Sequence, residues 1–146
     1  MSRIRAGGPD DLSELRGLWR ALSAETALAP YGPSDFDEYW PTARALFDHN
    51  LVVVAEQGGH LVGCALAVRT RKDVGHVFGL YVRPEARRQS IGRDLLRAAS
   101  AVLRESGALW IVVDVEHGNH GALEFYERLG FETTGLRLTI DADRLT

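Results

Sequence analysis

The chain has 146 residues, a length typical of one domain. At that length it can bury roughly 70% of the surface that it exposes when unfolded. Its hydrophobic content of 45% and charged content of 25% are ordinary for a globular protein, which excludes disordered and collagen-like chains. The net charge of −3 argues against general nucleic-acid binding, because neutralising phosphates requires a basic surface. We therefore expect a single domain over residues 1–146 without general affinity for nucleic acid.

The cysteine count and the apolar runs bear on the compartment. Cys64 is the single cysteine, so no intramolecular disulfide can form, and a zinc site built on several thiolates is excluded. Residues 1–11 contain no apolar core of a secretion signal. The longest apolar run, Leu61 to Val68, is far shorter than the roughly 20 residues that a membrane helix needs. We expect a soluble, cytoplasmic protein without membrane contact.

The first half of the chain predicts a strand, two helices and a hairpin. Residues 2–6 form a short strand, and Pro9 and Asp10 begin a helix that extends to about Ala24. A second helical pattern follows residues 31–35 and contains Pro41, which should kink or split it. Strands 51–56 and 60–70 are joined by two glycines, as in a tight hairpin.

Both faces of the second hairpin strand are apolar, so the sheet should be covered on each side. Strict alternation places residues 61, 65 and 67 on one face, and residues 62, 64, 66 and 68 on the other.

The second half predicts further strands alternating with two helices. Strand 75–82 precedes a helix from Ser90 to Glu105, which Gly107 ends. Strand 109–115 precedes a helix over 119–129, and the last strands extend from 131 to 140. The order β-α-α-β-β-β-α-β-α-β predicts an α/β (α+β) domain with helices on both faces of its sheet.

The junction before the helix at Ser90 combines positive charge with a small residue. The first turn of a helix leaves backbone N–H groups unpaired and carries the positive end of the dipole. Gly92 would let a phosphate approach that backbone, with Arg87, Arg88 and Arg93 at the rim. Each charge contributes about 0.3–1 kcal/mol, so several must act together. The pattern fits a diphosphate; it also fits a solvated arginine face with an incidental glycine.

Two stretches carry a family resemblance. Residues 82–93, VRPEARRQSIGR, resemble the acetyl-CoA signature of the GNAT acetyltransferase superfamily, Arg/Gln-x-x-Gly-x-Gly/Ala after a Val-x-Pro strand end. Residues 119–131, NHGALEFYERLGF, are similar to the Asn…Ala…Tyr-Glu-x-x-Gly-Phe segment of the same superfamily. Ser90 stands where the first glycine is usual. If that position needs a positive φ, the serine costs on the order of 1 kcal/mol, unless its hydroxyl bonds a phosphate oxygen.

The resemblance implies a single GNAT-type domain with a mixed, mostly antiparallel sheet of six to seven strands. It implies acetyl-CoA as co-substrate, no metal, and a pantetheine arm that bonds backbone groups along strand 80–82. Asn119 could cap its helix, bond the cofactor arm, or do both. The residues expected to bind the cofactor are Leu80, Tyr81, Val82, Arg87, Arg88, Gln89, Ser90, Ile91, Gly92, Arg93 and Asn119.

Acetyl transfer to an amine also needs a base and an acid. An amine with a pKa of about 10.4 must lose its proton, and His76 lies near where some members of the superfamily carry a catalytic glutamate. His76 could equally be a solvent-facing residue at a strand end, and Glu116, His117 and Asp114 are rivals. Tyr126 stands where the superfamily places a tyrosine that protonates the leaving thiolate, although its helical stripe also suits the core. Cys64 is expected in the core.

The acceptor site of the superfamily is built from the first two helices and their connection. That region combines acids with aromatics, which suits a cationic amine; a solvated helix face over a core stripe is the alternative. The residues concerned are Glu25, Tyr31, Asp35, Phe36, Asp37, Glu38, Tyr39 and Trp40.

These observations together predict an N-acetyltransferase that moves acetyl directly from acetyl-CoA to a primary amine. The acceptor would be a small molecule or a peptide, and the resemblance makes a homodimer possible. Two alternatives are a non-catalytic acyl-CoA-binding sensor or interaction module, and an O-acetyltransferase.

Overall fold

The computed structural model describes residues 2–26 and 36–145. The helices and strands, in chain order, are β1 (Arg3–Ala6), α1 (Leu12–Thr26), α2 (Phe36–His49), β2 (Leu51–Gln57), β3 (His60–Arg71), β4 (Val74–Val82), α3 (Ile91–Glu105), β5 (Trp110–Val112) and α4 (His120–Arg128). Short 3-10 turns lie at Pro9–Asp11, Pro84–Ala86 and Ala142–Leu145. None of the described helices is both long and apolar enough to span a membrane.

The sheet is mixed, as predicted. Its order is β1-β2-β3-β4-β5; the first four strands pair antiparallel, and β5 pairs parallel to β4. The β2–β3 hairpin turns through Gly58 and Gly59, whose φ values are 56° and 81°. Both values lie in the left-handed region that this turn requires and that glycine tolerates.

Two apolar clusters cover the two faces of the sheet. On one face α1 and α2 pack against the sheet, and the α1 residues Leu15, Leu18 and Trp19 are nearly inaccessible to solvent. On the other face α3 packs with Ile91 and Leu95. The prediction of helices on both faces of the sheet is therefore confirmed, and each face has its own apolar cluster.

Two local predictions are wrong in detail. Leu61 lies with Cys64 and Leu66 under α1, and Val62 lies under α3, the reverse of strict alternation. The cause is an irregularity in the β2–β3 register, where pairing jumps from Gly63 to Leu61. The second concerns α2: of the predicted alternatives, a kink or a split, the split is wrong, because α2 continues through Pro41 as one helix. Pro41 falls in its second turn, where it removes only one hydrogen bond to the preceding turn.

A second irregularity shapes β4. Cys64 pairs with Tyr81 and Leu66 pairs with Phe78, so two residues of β4 lie opposite the single residue Ala65. Gly79, one of the two, has φ of 60°. This bulge bends β4 just before the end that leads to α3.

The predicted strands over 131–140 are absent from the described chain, so its sheet has five strands and not six to seven. β5 pairs through only three residues, from Trp110 to Val112, so it offers a short edge to any further strand. Leu136 and Leu138 are both 87% exposed, and this segment therefore gains no apolar burial that would fix it in a strand.

Candidate functional site

β4 and β5 separate partway along the sheet. Their parallel pairing ends at His76 and Val112, while β4 continues to Val82. The β5-facing edge of β4 beyond His76 is therefore unpaired within the described chain. Val82 retains its pairing with Gly63 on the other side. The opening exposes backbone donors and acceptors that an extended ligand can bond as a further strand would.

The N-terminus of α3 lies at the end of this open edge. Arg88 and Ser90 both have φ of 64°, a left-handed conformation that residues other than glycine seldom adopt. The first backbone bond into the helix runs from the Asp94 N–H to the Ser90 carbonyl, at 3.0 Å. The amides of residues 91–93 precede that bond and have no acceptor in the helix's own ladder. Ser90 thus adopts a left-handed conformation that glycine adopts without strain.

Gly92 lies on the inner side of this first turn. A Cβ built there would meet the Phe125 ring at 3.5 Å and Val82 at 3.8 Å, which are ordinary contacts. The fold alone therefore does not require glycine at this position. The first-turn amides and the exposed arginines around them fit a diphosphate, because both supply positive charge to one small region.

Arg87 is held by neighbouring groups. Its Nη2 lies 2.7 Å from the Glu25 carboxylate on α1, and its Nε donates to the Val82 carbonyl at 2.8 Å. Its guanidinium also lies 5.5 Å from the centre of the Tyr81 ring. The Tyr81 hydroxyl donates to the other Glu25 oxygen at 3.3 Å. Burial, followed by the Glu25 charge, raises the pKa of Tyr81, so its hydroxyl remains a donor.

The remaining predicted anion-binding side chains differ in their placement. Gln89 accepts a hydrogen bond from Gln57 at 2.7 Å. Arg88 is exposed and forms no ion pair with the described residues. Arg93 lines a cavity of about 410 Å³ between α3 and the chain at Ile111 and Phe131, together with Arg97 and Arg104. Arg88 is therefore the arginine most available to an anion at the helix N-terminus.

The structure brings His76 together with two other polar side chains. His76 Nδ1 lies 3.2 Å from the Thr70 hydroxyl oxygen on β3. His76 Nε2 lies 3.6 Å from a carboxylate oxygen of Asp114, just beyond β5. The imidazole stacks on Phe78 at 4.9 Å and its side chain is 21% exposed. Phe78 packs into the α1/α2 cluster, so His76 lies on that face, beside the opening.

Tyr126 lies on the opposite face of the sheet. It is 8% exposed, and its ring packs edge-on against Phe125 and Phe131 at 5.2 and 5.4 Å. Burial raises the pKa of Tyr126 to about 12. The hydroxyl therefore stays protonated at neutral pH, as a proton donor must.

The other candidate residues near β5 make few side-chain contacts. Asn119 caps α4 by accepting a hydrogen bond from the Ala122 N–H at 3.3 Å, which confirms the capping role. Glu116 and His117 have no side-chain hydrogen bond or ion pair with the described residues. Asp114, predicted as a rival base, lies beside His76.

Several side chains of the predicted acceptor region form ion pairs or pack against other side chains. Tyr31 and Asp35 lie outside the described residues. Asp37 pairs with Arg16 at 2.6 Å and with Arg20 at 2.9 Å, which joins α1 to α2. Phe36 and Trp40 stack on each other at 5.8 Å and pack against the α1/α2 cluster. Glu25 is also paired, so two of the acids expected to attract a cation are balanced by arginines, whereas Glu38 is exposed.

Cys64 lies in the core, as predicted. It is 1% exposed, and burial raises the pKa of its thiol to about 12. A thiol so placed stays neutral and inaccessible, which excludes it as a nucleophile in this fold.

The sequence-based argument missed Thr70 as a neighbour of His76, and the bridge that Glu25 makes between Tyr81 and Arg87. The two-residue turn at 72–73 alone would place Arg69 opposite His76. An irregularity in the β3–β4 register between Arg69 and Arg71 shifts the pairing to Val68 and places Thr70 beside the ring, and the sequence does not indicate this irregularity. The bridge from Glu25 joins distant segments, and no local pattern indicates it.

Comparison with known proteins assigns the family. A sequence model described as the acetyltransferase (GNAT) family matches residues 17–131, most of the chain. The chain belongs to the GNAT acetyltransferase family.

Relatives and solved structures agree with this assignment. A Bacillus subtilis protein, named as a candidate ribosomal protein bS18-alanine N-acetyltransferase, is 28% identical over 117 residues, which cover 80% of this chain and 74% of that protein. The L-methionine sulfoximine/L-methionine sulfone acetyltransferase of Pseudomonas paraeruginosa is 29% identical over 139 residues, with coverages of 90% and 81%. The fold matches AAC(6')-Iy, solved with a CoA bisubstrate analogue, at a TM-score of 0.73 with 21% identity and 97% of each chain covered.

Proposed function

We propose that this chain is a single-domain, acetyl-CoA-dependent N-acetyltransferase that transfers acetyl directly to a primary amine. The observation that carries the proposal is the unpaired edge of β4 beyond His76, which leads to the N-terminus of α3. That arrangement offers backbone hydrogen bonds to an extended arm and first-turn amides to a diphosphate at its end. The structure of AAC(6')-Iy with a CoA analogue, on the same fold, supports the choice of ligand.

The diphosphate would lie against the amides of residues 91–93, with Arg88 at the rim and Gly92 leaving room for the phosphate. Arg87 has donors beyond those that it gives to Glu25 and Val82, and these could reach the same anion. The pantetheine arm would bond the free edge of β4 at Leu80 and Val82. Residues of both strand and helix thus hold the co-substrate, and no metal has a role in the proposal.

The reaction would join the amine nitrogen to the thioester carbonyl carbon and break the carbon–sulfur bond. An acceptor that arrives as an ammonium would give one proton to His76 before attack and a second proton to solvent after it, and the leaving thiolate would take the proton of Tyr126. The two side chains lie on opposite faces of the sheet, so they would act from either side of the opening between β4 and β5. Both groups return to their starting state when a proton moves from His76 to Tyr126 through solvent.

The acceptor would carry a primary amine next to a polar or anionic group. The two relatives are named for alanine and for amino-acid derivatives as acceptors. Two of the acids that could attract a second positive charge, Glu25 of α1 and Asp37 of α2, are engaged by arginines. This balance favours an amino acid or a peptide N-terminus over a polycation.

The test is an acceptor screen with purified protein and acetyl-CoA. Free thiol release and product mass would be measured with L-methionine sulfone, an alanine-terminated peptide and spermidine. The proposal predicts stoichiometric thiol and an acetylated amine for at least one of the first two. Tight CoA binding by calorimetry without any turnover would favour the sensor, and an acetylated hydroxyl would favour O-transfer. Absence of CoA binding would overturn the proposal.

A further inference from the structure

His76 has a defined hydrogen-bonding environment on the α1/α2 face. Its Nδ1 faces the Thr70 hydroxyl at 3.2 Å, and its Nε2 faces Asp114 at 3.6 Å. Within the described residues, Asp114 is the one charged side chain within ion-pair distance of the ring. The remaining neighbours are apolar: Phe78 stacks on the ring, and Val68 lies directly opposite on β3.

The Thr70 hydroxyl has a second partner, and that partner decides which nitrogen of His76 carries the proton. Thr70 Oγ1 lies 3.4 Å from the Val74 carbonyl, which can only accept. A hydroxyl has one hydrogen, so a Thr70 that donates to Val74 presents a lone pair to His76. The ring then donates from Nδ1–H, and Nε2 is left as the basic nitrogen.

Asp114 faces the nitrogen that is left basic. A neutral ring with its lone pair on Nε2 cannot donate to a carboxylate, and 3.6 Å is longer than a hydrogen bond between the two would be. Once Nε2 takes up a proton, the same carboxylate faces a positively charged donor and attracts it. Because the Asp114 side chain is 54% exposed, this attraction is partly screened by solvent.

We infer that Thr70 and Asp114 are positioning residues: Thr70 makes Nε2 of His76 the nitrogen that accepts the proton, and Asp114 stabilises the imidazolium that results. The inference rests on the proposed function for its catalytic meaning. The placement of the proton does not depend on turnover, so it can be tested alone.

Nitrogen-15 NMR of the imidazole reports the tautomer directly. The His76 signals would be assigned by their loss in His76→Gln. At a pH where the ring is neutral, wild type should show a protonated Nδ1 and an unprotonated Nε2. Thr70→Val keeps the shape and removes the acceptor, so the ring should shift toward the Nε2–H tautomer. Thr70→Ser restores the hydroxyl and should restore the wild-type tautomer.

Kinetics supply the second readout. Thr70→Val should lower kcat about tenfold or more with the KM for acetyl-CoA changed less than twofold, and Thr70→Ser should recover most of kcat. In Asp114→Asn the amide can donate to Nε2 and favour the neutral ring, so kcat should fall while the tautomer is kept. Asp73→Asn makes the same charge change in the exposed β3–β4 turn, and it should leave kcat and the His76 tautomer unchanged.

An Nε2–H tautomer in the wild-type protein would overturn the inference, and so would a tautomer that Thr70→Val leaves unchanged. If Thr70→Val does not fold, Thr70→Ala removes the same hydroxyl and should give the same shift toward the Nε2–H tautomer. A wild-type protein with the expected tautomer but no acetyl transfer to any amine would overturn the proposed function, while the proton placement would stand.

Discussion

The ring of Trp19 on α1 lies directly against Gly79 in the β4 bulge. A Cβ built on Gly79 would come within 1.9 Å of the ring, and the glycine has φ of 60°. This contact connects the first helix to the strand edge proposed to hold the co-substrate. The left-handed φ and the absent side chain are therefore both needed at this position.

Gly79→Ala should destabilise the protein by about 2–6 kcal/mol, because overpacking and backbone strain each cost about 1–3 kcal/mol. Urea unfolding followed by far-UV circular dichroism would measure the loss. Gly58→Ala is the matched control, since Gly58 has φ of 56° with nothing within 4 Å of its built Cβ. That control should lose only about 1 kcal/mol of strain. Equal losses of unfolding free energy in the two variants would show that the Trp19 ring does not clash with a side chain at position 79.

Ser90→Gly should stabilise the protein by about 0.5–1 kcal/mol, because glycine adopts the left-handed region without the strain of a Cβ. The affinity for CoA, measured by calorimetry, should be equal or higher, since the first-turn amides keep their direction. Ser100→Gly is the matched control: the same change inside α3 should cost about 0.5 kcal/mol. A Ser90→Gly variant that binds CoA more weakly would assign the serine hydroxyl a direct contact with phosphate.

Much of the fold follows from local patterns in the sequence. The glycine pair at the β2–β3 turn, the apolar stripe of α3 and the asparagine cap of α4 each act over a few residues, and each prediction matches the structure. The start of α3 could also be predicted from the sequence, because helix ends and glycine positions depend on the adjacent backbone. The left-handed Ser90 follows from the same motif.

The errors arise where a distant contact decides the outcome. Leu61 and Val62 exchange faces because of an irregularity in pairing with β2. The alternation in residues 136–140 suggests a strand, but a strand forms only where a partner edge covers it. The partners of Arg87 and His76 come from segments far along the chain, so composition could suggest these residues but not pair them.

The Cys64 thiol should make the protein more sensitive to alkali. Burial raises its pKa from 9.0 to about 12, so the unfolded chain loses this proton at lower pH than the folded one. The stability that this difference contributes is complete below pH 9 and declines as pH rises toward 12. The free energy of unfolding should therefore fall more steeply between those values in wild type than in Cys64→Ala.

The same burial provides a chemical check on the Cys64 prediction. The folded protein should not react with a thiol reagent such as dithionitrobenzoate, and it should react fully in denaturant. Cys64→Ala should lose about 1–2 kcal/mol at neutral pH through the cavity left by the sulfur. Parallel pH profiles in the two proteins, or rapid labelling of the folded chain, would contradict the buried placement.

Tyr126→Phe should lower kcat for acetyl transfer by about 10²–10⁴, because it removes the proton for the leaving thiolate. The hydroxyl has no hydrogen bond to the described residues, so the packing against Phe125 and Phe131 should survive with stability within about 0.5 kcal/mol. CoA affinity should change less than twofold by calorimetry. Because burial holds the pKa of Tyr126 at about 12, its ionisation should produce no basic limb in the wild-type rate below pH 10. A variant with kcat within threefold of wild type would show that the thiolate departs without this proton, and the acid would have to be another group.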